Sequence, residues 1–313
     1  MQVHTDIDSL PLFKHAAVTI GTFDGVHSGH LKIIDQLKTE ALQNNGESVI
    51  ITFHPHPKMV VSRSNDLNST GIQLLNTLEE KIELLSQQQV DHLVIVPFTE
   101  AFSELSATDY IKKFLIEKFH PTTIITGYDH HFGKGRSGNY KLLEIFAKKG
   151  NFIVKEIPQY ILDHVGISST RIREAITSGD LNTSNKFLGY DYYFSGEVIH
   201  GDKIGRTLGY PTANINIGNS SKLIPCNGVY IVEVKLRERM LQGMMSIGVR
   251  PAVGGKKQTI EVNIFDFNED IYGCKLKVIL KKYLRPELDF LNLTALTNQI
   301  KADEKEAKAY FTR

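Results

Sequence analysis

The pattern of apolar segments changes near Tyr192, and this change most constrains what the chain can fold into. Upstream, short β-branched runs alternate with segments whose apolar residues recur at helical spacing, which is typical of a parallel sheet with crossover helices. Downstream, strand-like runs follow one another across glycine-rich or polar turns, which favours a small closed barrel. We therefore predict an α/β doubly wound domain over residues 1–183 and an all-β barrel domain with a C-terminal helix over residues 184–313.

The predicted elements follow directly from these patterns. In the first domain the strands are predicted at residues 16–21, 48–53, 92–98, 122–127 and 151–157. A helix is predicted after His30, and capping boxes are predicted at Thr77 with Glu80 and at Ser106 with Asp109. In the second domain the strands are predicted at residues 192–199, 211–217, 228–236, 243–249, 259–267 and 275–284, with an amphipathic helix from Thr294 onward.

Charge and cysteine content exclude several classes of function. The formal net charge is +1, so no strong field attracts nucleic acid or an anionic membrane. The two cysteines, Cys226 and Cys274, are too few for a disulfide framework and lack zinc-site spacing. The first residues do not resemble a signal peptide, and no apolar run approaches the roughly 18 residues of a membrane span. We expect a cytoplasmic protein with small-molecule substrates, without nucleic-acid or membrane partners, and a monomer or transient oligomer.

The segment GTFDGVHSGH, residues 21–30, joins the first predicted strand to the first helix. Ligands of open α/β sheets bind at such positions, and the helix N-terminus favours an anion. Gly21 and Gly25 let the backbone approach a phosphate, and His27 and His30 can point at the same oxygens. An isolated pair of histidines at a helix start would more often be a cap or packed polar residues. The candidate nucleotide contacts here are Gly21, Thr22, Phe23, Asp24 and Gly25.

A second segment, ISSTRIREAI at residues 167–176, places hydroxyl residues where a helix cap belongs. Its free N–H groups, hydroxyls and guanidinium suit a polyphosphate, although a plain cap with a solvated arginine is the simpler alternative. The candidate contacts are Ser168, Ser169, Thr170 and Arg171.

Histidines and an aspartate follow two other predicted strands. His54 and His56 lie in TFHPHP, and Asp129 and His131 lie in GYDHHFGKGRSG. Because the carboxyl ends of parallel strands share one edge of a sheet, these side chains are predicted to lie near residues 21–30. Metal binding is the competing interpretation, since imidazole is a common ligand, but neither segment has a recognised zinc spacing.

The second half carries its own polar segment at residues 196–215, followed by a strand carboxylate. Thr212 and Asn214 in PTAN are two apart on a strand, so both side chains share one face. Glu261 lies on a later strand, and an exposed strand carboxylate is the alternative there. A glycine-rich β-turn is the alternative for the loop, which is predicted to cover phosphates with Gly201, Lys203, Gly205 and Arg206.

These segments together resemble known families across residues 21–303. GTFDGVHSGH and ISSTRIR are similar to the HxGH and ISSTxxR elements of the nucleotidyltransferase superfamily, and TFHPHP and GYDHHFGKGRSG to its FAD synthetase branch. PTAN resembles the riboflavin kinase motif. The resemblance implies a nucleotidyltransferase domain followed by a riboflavin kinase domain, as in bifunctional riboflavin kinase/FMN adenylyltransferases. Implied substrates and products are riboflavin, FMN, FAD and ATP, with Mg²⁺ as the cofactor.

The resemblance also implies roles for individual residues. Mg²⁺ is expected on Thr212 and Asn214, and Glu261 is expected to activate a ribityl alcohol. The second implied reaction joins FMN to AMP from ATP. Because FMN phosphate is already ionised, this reaction needs compensation of the charge on the leaving pyrophosphate, which is expected from His27, His30 and Arg171. Flavin contacts are expected from His54, His56, Arg250 and Arg285.

The chain departs from the family pattern at His130, Ser246, Ala252 and Asn263. Three alternatives to the bifunctional enzyme stay open on the sequence. One half alone could be catalytic, the first half could adenylylate another cofactor, or the chain could be a flavin-binding sensor without turnover.

Overall fold

The computed structural model describes residues 1–65, 71–157, 166–201, 204–252 and 255–312. The chain divides into two compact units, Met1–Ser169 and Thr170–Arg313. The domain boundary predicted after residue 183 lies inside the second unit and stays a prediction. Among the described residues, no helix is long and apolar enough to cross a membrane.

The first unit is built on a six-stranded parallel sheet with the order β1-β4-β3-β2-β5-β6. The five predicted strands are confirmed, whereas the short edge strand β1 was not predicted. The strands are β1 (Gln2–His4), β2 (Ala17–Ile20), β3 (Ser48–His54), β4 (His92–Pro97), β5 (Thr123–Gly127) and β6 (Ile153–Ile157). The four inner strands are almost wholly buried because helices cover a parallel sheet, whereas the edge strands β1 and β6 are more exposed.

Helices connect these strands, and Phe114 and Phe119 from this layer belong to the same core cluster as Phe13, Val18 and Val94. The helices are α1 (Ser28–Gln43), α2 (Pro57–Asn65), α3 (Leu78–Ser86), α4 (Glu100–Ser103), α5 (Ala107–Asp109), α6 (Glu117–Phe119) and α7 (Tyr140–Gly150). A π-helical segment, Tyr110–Ile116, joins α5 to α6. The predicted doubly wound α/β architecture is thereby confirmed.

One of the two predicted capping boxes forms completely. The Thr77 hydroxyl accepts from the Glu80 N–H, and Glu80 Oε2 accepts from the Thr77 N–H. At the other site, Ser106 caps α5 by accepting from the Asp109 N–H. The Asp109 carboxylate accepts from the Ser106 hydroxyl instead of the backbone N–H, so the predicted reciprocal bond was wrong.

The second unit is a closed antiparallel barrel with the order β10-β11-β8-β7-β12-β9, as predicted. Its strands are β7 (Tyr193–Ile199), β8 (Ala213–Asn216), β9 (Gly228–Leu236), β10 (Arg239–Ala252), β11 (Gly255–Ile264) and β12 (Lys275–Arg285). Among the described residues, the helices that accompany them are α8 (Ser169–Ser178), whose first residue belongs to the first unit, α9 (Leu181–Leu188), α10 (Ile204–Thr207) and the predicted terminal helix α11 (Leu293–Phe311).

The capping box generates a stability prediction. Thr77→Ala removes the side-chain acceptor for the Glu80 N–H, and we expect the free energy of unfolding of the first unit to fall by about 1 kcal/mol. Thr77→Ser keeps the hydroxyl and should stay close to the wild-type value. Urea unfolding followed by circular dichroism measures both variants. Equal stability of Thr77→Ala and Thr77→Ser would contradict the assignment.

Two candidate active sites

The first site lies at the carboxyl edge of the parallel sheet, where the direction of strand addition reverses. From β2 the chain adds β3 and then β4 on one side, and it returns to add β5 on the other. Residues 21–30 begin at the end of β2. His54 ends the neighbouring β3, and Asp129 follows the end of β5. The prediction that these segments meet at one edge is thus confirmed, and such a switch point is where open α/β sheets bind ligands.

The turn between β2 and α1, residues 22–26, has an unusual backbone. Phe23, Gly25 and Val26 have φ values of 47°, 89° and 36°. Glycine tolerates this left-handed region, but it is unfavourable for phenylalanine and more so for β-branched valine. Phe23 and Val26 are both buried, with 1% and 2% of their surface exposed. Such conformations cost roughly 1–3 kcal/mol each and persist only where surrounding contacts enforce them.

His27 is the N-cap of α1. Its Nδ1 accepts from the His30 N–H at 3.4 Å, and the two imidazole rings stack with centroids 3.7 Å apart. In a neutral ring an accepting Nδ1 leaves the proton on Nε2, which makes Nε2 a hydrogen-bond donor. The predicted position of both histidines on the opening turn of α1 is confirmed, and the capping alternative holds for His27. Their contact with the same phosphate oxygens stays a prediction.

His30 is partly buried against the Phe23 ring, with ring centroids 5.0 Å apart. Its Nδ1 is buried and has no hydrogen-bond partner. Burial lowers the pKa of His30 well below its usual value, and the nearby His27 and Lys81 lower it further. The ring is therefore neutral at pH 7, and it offers one donor and one acceptor nitrogen.

Hydrogen bonds of Asp24 link the turn to the segment before α3 and to the start of α8. Its carboxylate is 2% exposed and accepts from the N–H groups of Leu75, at 3.0 Å, and Asn76, at 3.4 Å. The Asp24 carbonyl accepts from the Ser169 hydroxyl at 2.9 Å. Both residues make contacts within the protein that hold the turn, and their predicted contact with a nucleotide stays a prediction.

Three further predicted contacts of the first site, Ser168, Thr170 and Arg171, are all exposed. Ser168 directly precedes α8, and the other two lie at its start, with the Arg171 guanidinium 5.4 Å from the Phe187 ring. Nucleotide binding by these residues stays a prediction.

The histidines after β3 and β5 have different surroundings. His54 and Asp129 are exposed, whereas His56 is buried and its Nδ1 accepts from the Lys58 N–H. The Nε2 of His130 is buried without a partner, and burial lowers the pKa of His130 to about 4. Within the described ranges, no group of three or more His, Cys, Asp or Glu side chains could hold a metal ion.

Sequence reasoning missed Lys81, which is only 6% exposed. Its Nζ donates to the Thr22 carbonyl at 2.6 Å and lies 3.4 Å from the Thr52 hydroxyl. A signal was present in the sequence: Lys81, Leu84 and Leu85 have the spacing of an apolar helix face, and all three are buried on α3. A lysine at such a position needs internal partners.

The second site lies inside the barrel unit, where Glu261 on β11 pairs with Asn214 on β8. Side chains of directly paired residues lie on the same face of a sheet. The Thr212 hydroxyl, one residue before β8, donates to Glu261 Oε2 at 2.9 Å. The structure thus brings together the three side chains predicted for this site.

Glycines let the loop before β8 approach these residues. A Cβ at Gly201 would lie 2.2 Å from Asn214 Nδ2, and one at Gly205 would lie 2.3 Å from the Tyr210 carbonyl. Only glycine fits such distances without displacement. Arg206 is exposed on α10, and Lys203 lies outside the described residues, so phosphate contacts by this loop stay a prediction.

A cavity of about 310 Å³ adjoins this cluster, with both Thr212 and Glu261 in its wall. Its volume lies at the lower end of the range for small-molecule pockets. Asn263, at a position where the chain departs from the family pattern, also lines the cavity and donates to the Pro211 carbonyl at 2.8 Å. This bond ties β11 to the PTAN segment.

Arg285 also lines the cavity, and it was predicted to contact the flavin. Its guanidinium makes a bidentate pair with Asp303 of α11, with Nε–Oδ1 at 3.0 Å and Nη2–Oδ2 at 2.6 Å. A third bond runs to the Pro286 carbonyl. These bonds fasten the terminal helix to β12. The Arg250 side chain lies outside the described part of the chain, and flavin contacts by either arginine stay predictions.

Comparison with known proteins matches both units. The family model for FAD synthetase matches residues 11–171, and that for riboflavin kinase matches residues 188–311. A crystal structure described as a macrolide-efflux protein from Streptococcus pneumoniae has a TM-score of 0.88 and 29% identity, with 98% of each chain covered.

Relatives named bifunctional riboflavin kinase/FMN adenylyltransferase match this chain over almost its whole length. The Listeria monocytogenes protein is 38% identical over 95% of this chain and 92% of its own length. The Bacillus subtilis protein is 35% identical over 95% and 93%, and that of Escherichia coli K12 is 35% identical over 94% and 92%. This chain belongs to the bifunctional riboflavin kinase/FMN adenylyltransferase family.

Proposed function

We propose that this chain makes FAD in two ATP-dependent steps, phosphorylation of riboflavin in the barrel unit and adenylylation of FMN in the α/β unit. The observation that carries the proposal is that each unit holds its own cluster of reactive side chains. Family membership supports the same pair of activities. Because FMN, the product of one step, is the substrate of the other, the two activities form a sequence. We further propose a cytoplasmic location, where ATP is available, and a monomer or transient oligomer.

In the kinase step, Glu261 would remove the proton from the primary alcohol of the ribityl chain. The alcohol oxygen then bonds to the γ-phosphorus of ATP while the bond to ADP breaks. Two observations support this role: Glu261 lines the cavity, and its carboxylate accepts a hydrogen bond from the Thr212 hydroxyl. A positioned carboxylate beside a pocket of ligand size is the arrangement this step needs.

The same cluster suits Mg²⁺, which prefers oxygen ligands. The Thr212 hydroxyl donates a hydrogen bond to Glu261, so both lone pairs of the hydroxyl oxygen are left for a metal. Asn214 adds an amide oxygen beside a backbone segment that has no room for a Cβ at Gly201. Thr212 and Asn214 would hold the ion, which would neutralise charge on the ATP phosphates when bound.

In the adenylyl transfer, an ionised phosphate oxygen of FMN bonds to the α-phosphorus of ATP, and pyrophosphate leaves with the electrons of the broken bond. This nucleophile needs no base, and the leaving group needs compensation for its growing charge. We propose that His27 donates from Nε2 and that neutral His30 donates beside it, with Arg171 adding positive charge. The stacked rings and the backbone of the turn support this arrangement. Flavin contacts by His54 and His56 stay part of the proposal.

Chromatography of riboflavin incubated with ATP, Mg²⁺ and the purified chain tests the proposal. We expect FMN to appear first and FAD to follow. FMN alone, or FAD only when FMN is supplied, would mean that a single unit is active. Absence of both products would favour a flavin-binding sensor and contradict the enzyme.

A pair of substitutions should separate the two activities. Glu261→Ala is expected to lower riboflavin phosphorylation by about 10²-fold to 10⁴-fold, the usual range for loss of a general base, and to leave FMN adenylylation intact. His30→Ala should do the reverse. The control is Glu238→Ala, which removes an exposed carboxylate of the same barrel. Loss of both activities in a folded variant would contradict two separate sites.

Gly201→Ala tests the metal site through the backbone. The added methyl group would meet the Asn214 amide at 2.2 Å, so either the amide or the loop must move. We expect a higher Mg²⁺ requirement for riboflavin phosphorylation and unchanged FMN adenylylation. The control is Gly71→Ala, where an added Cβ would have no neighbour within 4 Å and the backbone is not left-handed. An unchanged Mg²⁺ dependence in Gly201→Ala would remove Asn214 from the metal site.

A further inference from the structure

Helix α3 carries a buried lysine, Lys81, that contacts the strained turn at residues 22–26. Its ammonium group donates to the Thr22 carbonyl at 2.6 Å. The Thr52 hydroxyl, at the end of β3, donates to the same carbonyl at 3.2 Å. One backbone oxygen next to the left-handed Phe23 is thus held from two other elements.

The charge on Lys81 is costly to bury. Desolvation lowers the pKa of Lys81 to about 8, and Asp24 opposes this shift. An apolar side chain of similar length, such as methionine, would fill this position on α3 without that cost. The hydrogen bond to Thr22 and the charge itself are what distinguish the lysine from such a side chain.

The charge of Lys81 also reaches the histidines. Both Lys81 and His27 lower the pKa of His30, after the larger effect of burial. The titratable groups acting on this cluster are Lys81 from α3, Asp24 from the turn, and His27 and His30 from the start of α1. Lys81 therefore affects both the backbone that precedes the histidines and the protonation state of His30.

We propose that Lys81 is a positioning residue for adenylyl transfer, holding the Thr22 carbonyl so that residues 22–26 keep the conformation that places His27 and His30 at the sheet edge. The inference rests on the proposed function of the first site. Lys81 acts on the reacting groups through this backbone and through its field on His30. The hydrogen bonds from Leu75 and Asn76 to the Asp24 carboxylate do not involve Lys81, so loss of Lys81 should weaken the hold on the turn without removing it completely.

The test compares both activities in the full chain carrying Lys81→Met. We expect kcat for FMN adenylylation to fall by about 10²-fold, as a misplacement of about 1 Å can cause. KM for ATP should change much less, because Lys81 is 6% exposed and its ammonium group binds the Thr22 carbonyl within the protein. Riboflavin phosphorylation, which occurs in the other unit, reports on folding within the same sample. Lys148→Met, the same substitution at an exposed lysine of α7, is the matched control.

A second measurement detects what a purely structural lysine would not change. In the titration of the His30 imidazole by NMR, removal of the positive charge in Lys81→Met should raise the pKa of His30. His27 and His30 lose their hydrogen-bonding pattern when protonated, so the acid limb of FAD synthesis should move to higher pH. An unchanged His30 titration together with unchanged kcat overturns the proposal.

Two further variants keep the test decisive if Lys81→Met fails to fold. Lys81→Arg keeps charge and donors, whereas Lys81→Gln keeps a donor and loses the charge. We expect Lys81→Arg to be the more active in FMN adenylylation, and equal rates for the two would overturn the proposal. If the wild-type chain made no FAD from FMN, the proposed function would fail by itself, and the His30 titration would still test the effect of Lys81.

Discussion

The first site depends on a turn that its own sequence disfavours. Phe23 and Val26 adopt left-handed backbone conformations. The contacts that hold the turn in this strained state come from β3, from the segment before α3 and from α3 itself. A turn held from several directions is pre-organised, so little reorganisation is needed when charge develops on a substrate. The position of the two histidines is thus a consequence of the whole parallel sheet.

The second site depends on strand register. Glu261 faces Asn214 because β11 pairs with β8, and a slip of one residue would turn the carboxylate to the opposite face. Closure of the barrel fixes this register. The Arg285–Asp303 pair then fastens α11 beside the cavity. The two sites therefore use different physical means, a strained turn in one unit and cross-strand pairing in the other.

Local patterns predicted most of the architecture. The parallel strands, the cap at Thr77, the closed barrel and the shared face of Thr212 and Asn214 follow from periodicity and spacing, whereas Glu261 was expected at that site from the family resemblance. Contacts between distant segments could not be predicted in this way. The hydrogen bonds from Leu75 to Asp24 and from Lys81 to Thr22 join residues 51 and 59 positions apart, and Asp303 carries no local sign that it pairs with Arg285. The edge strand β1 was missed because three residues are too few to show alternation.

The two sites should transfer two different phosphorus atoms of ATP into FAD, one in each reaction. ATP labelled with ³²P at either the γ or the α position tests this most directly. Starting from riboflavin, FAD should acquire label from both forms of ATP, the γ-phosphorus through FMN and the α-phosphorus through AMP. Starting from unlabelled FMN, FAD should acquire only the α label. Transfer from a single position with riboflavin, or γ label in FAD made from FMN, would contradict the account.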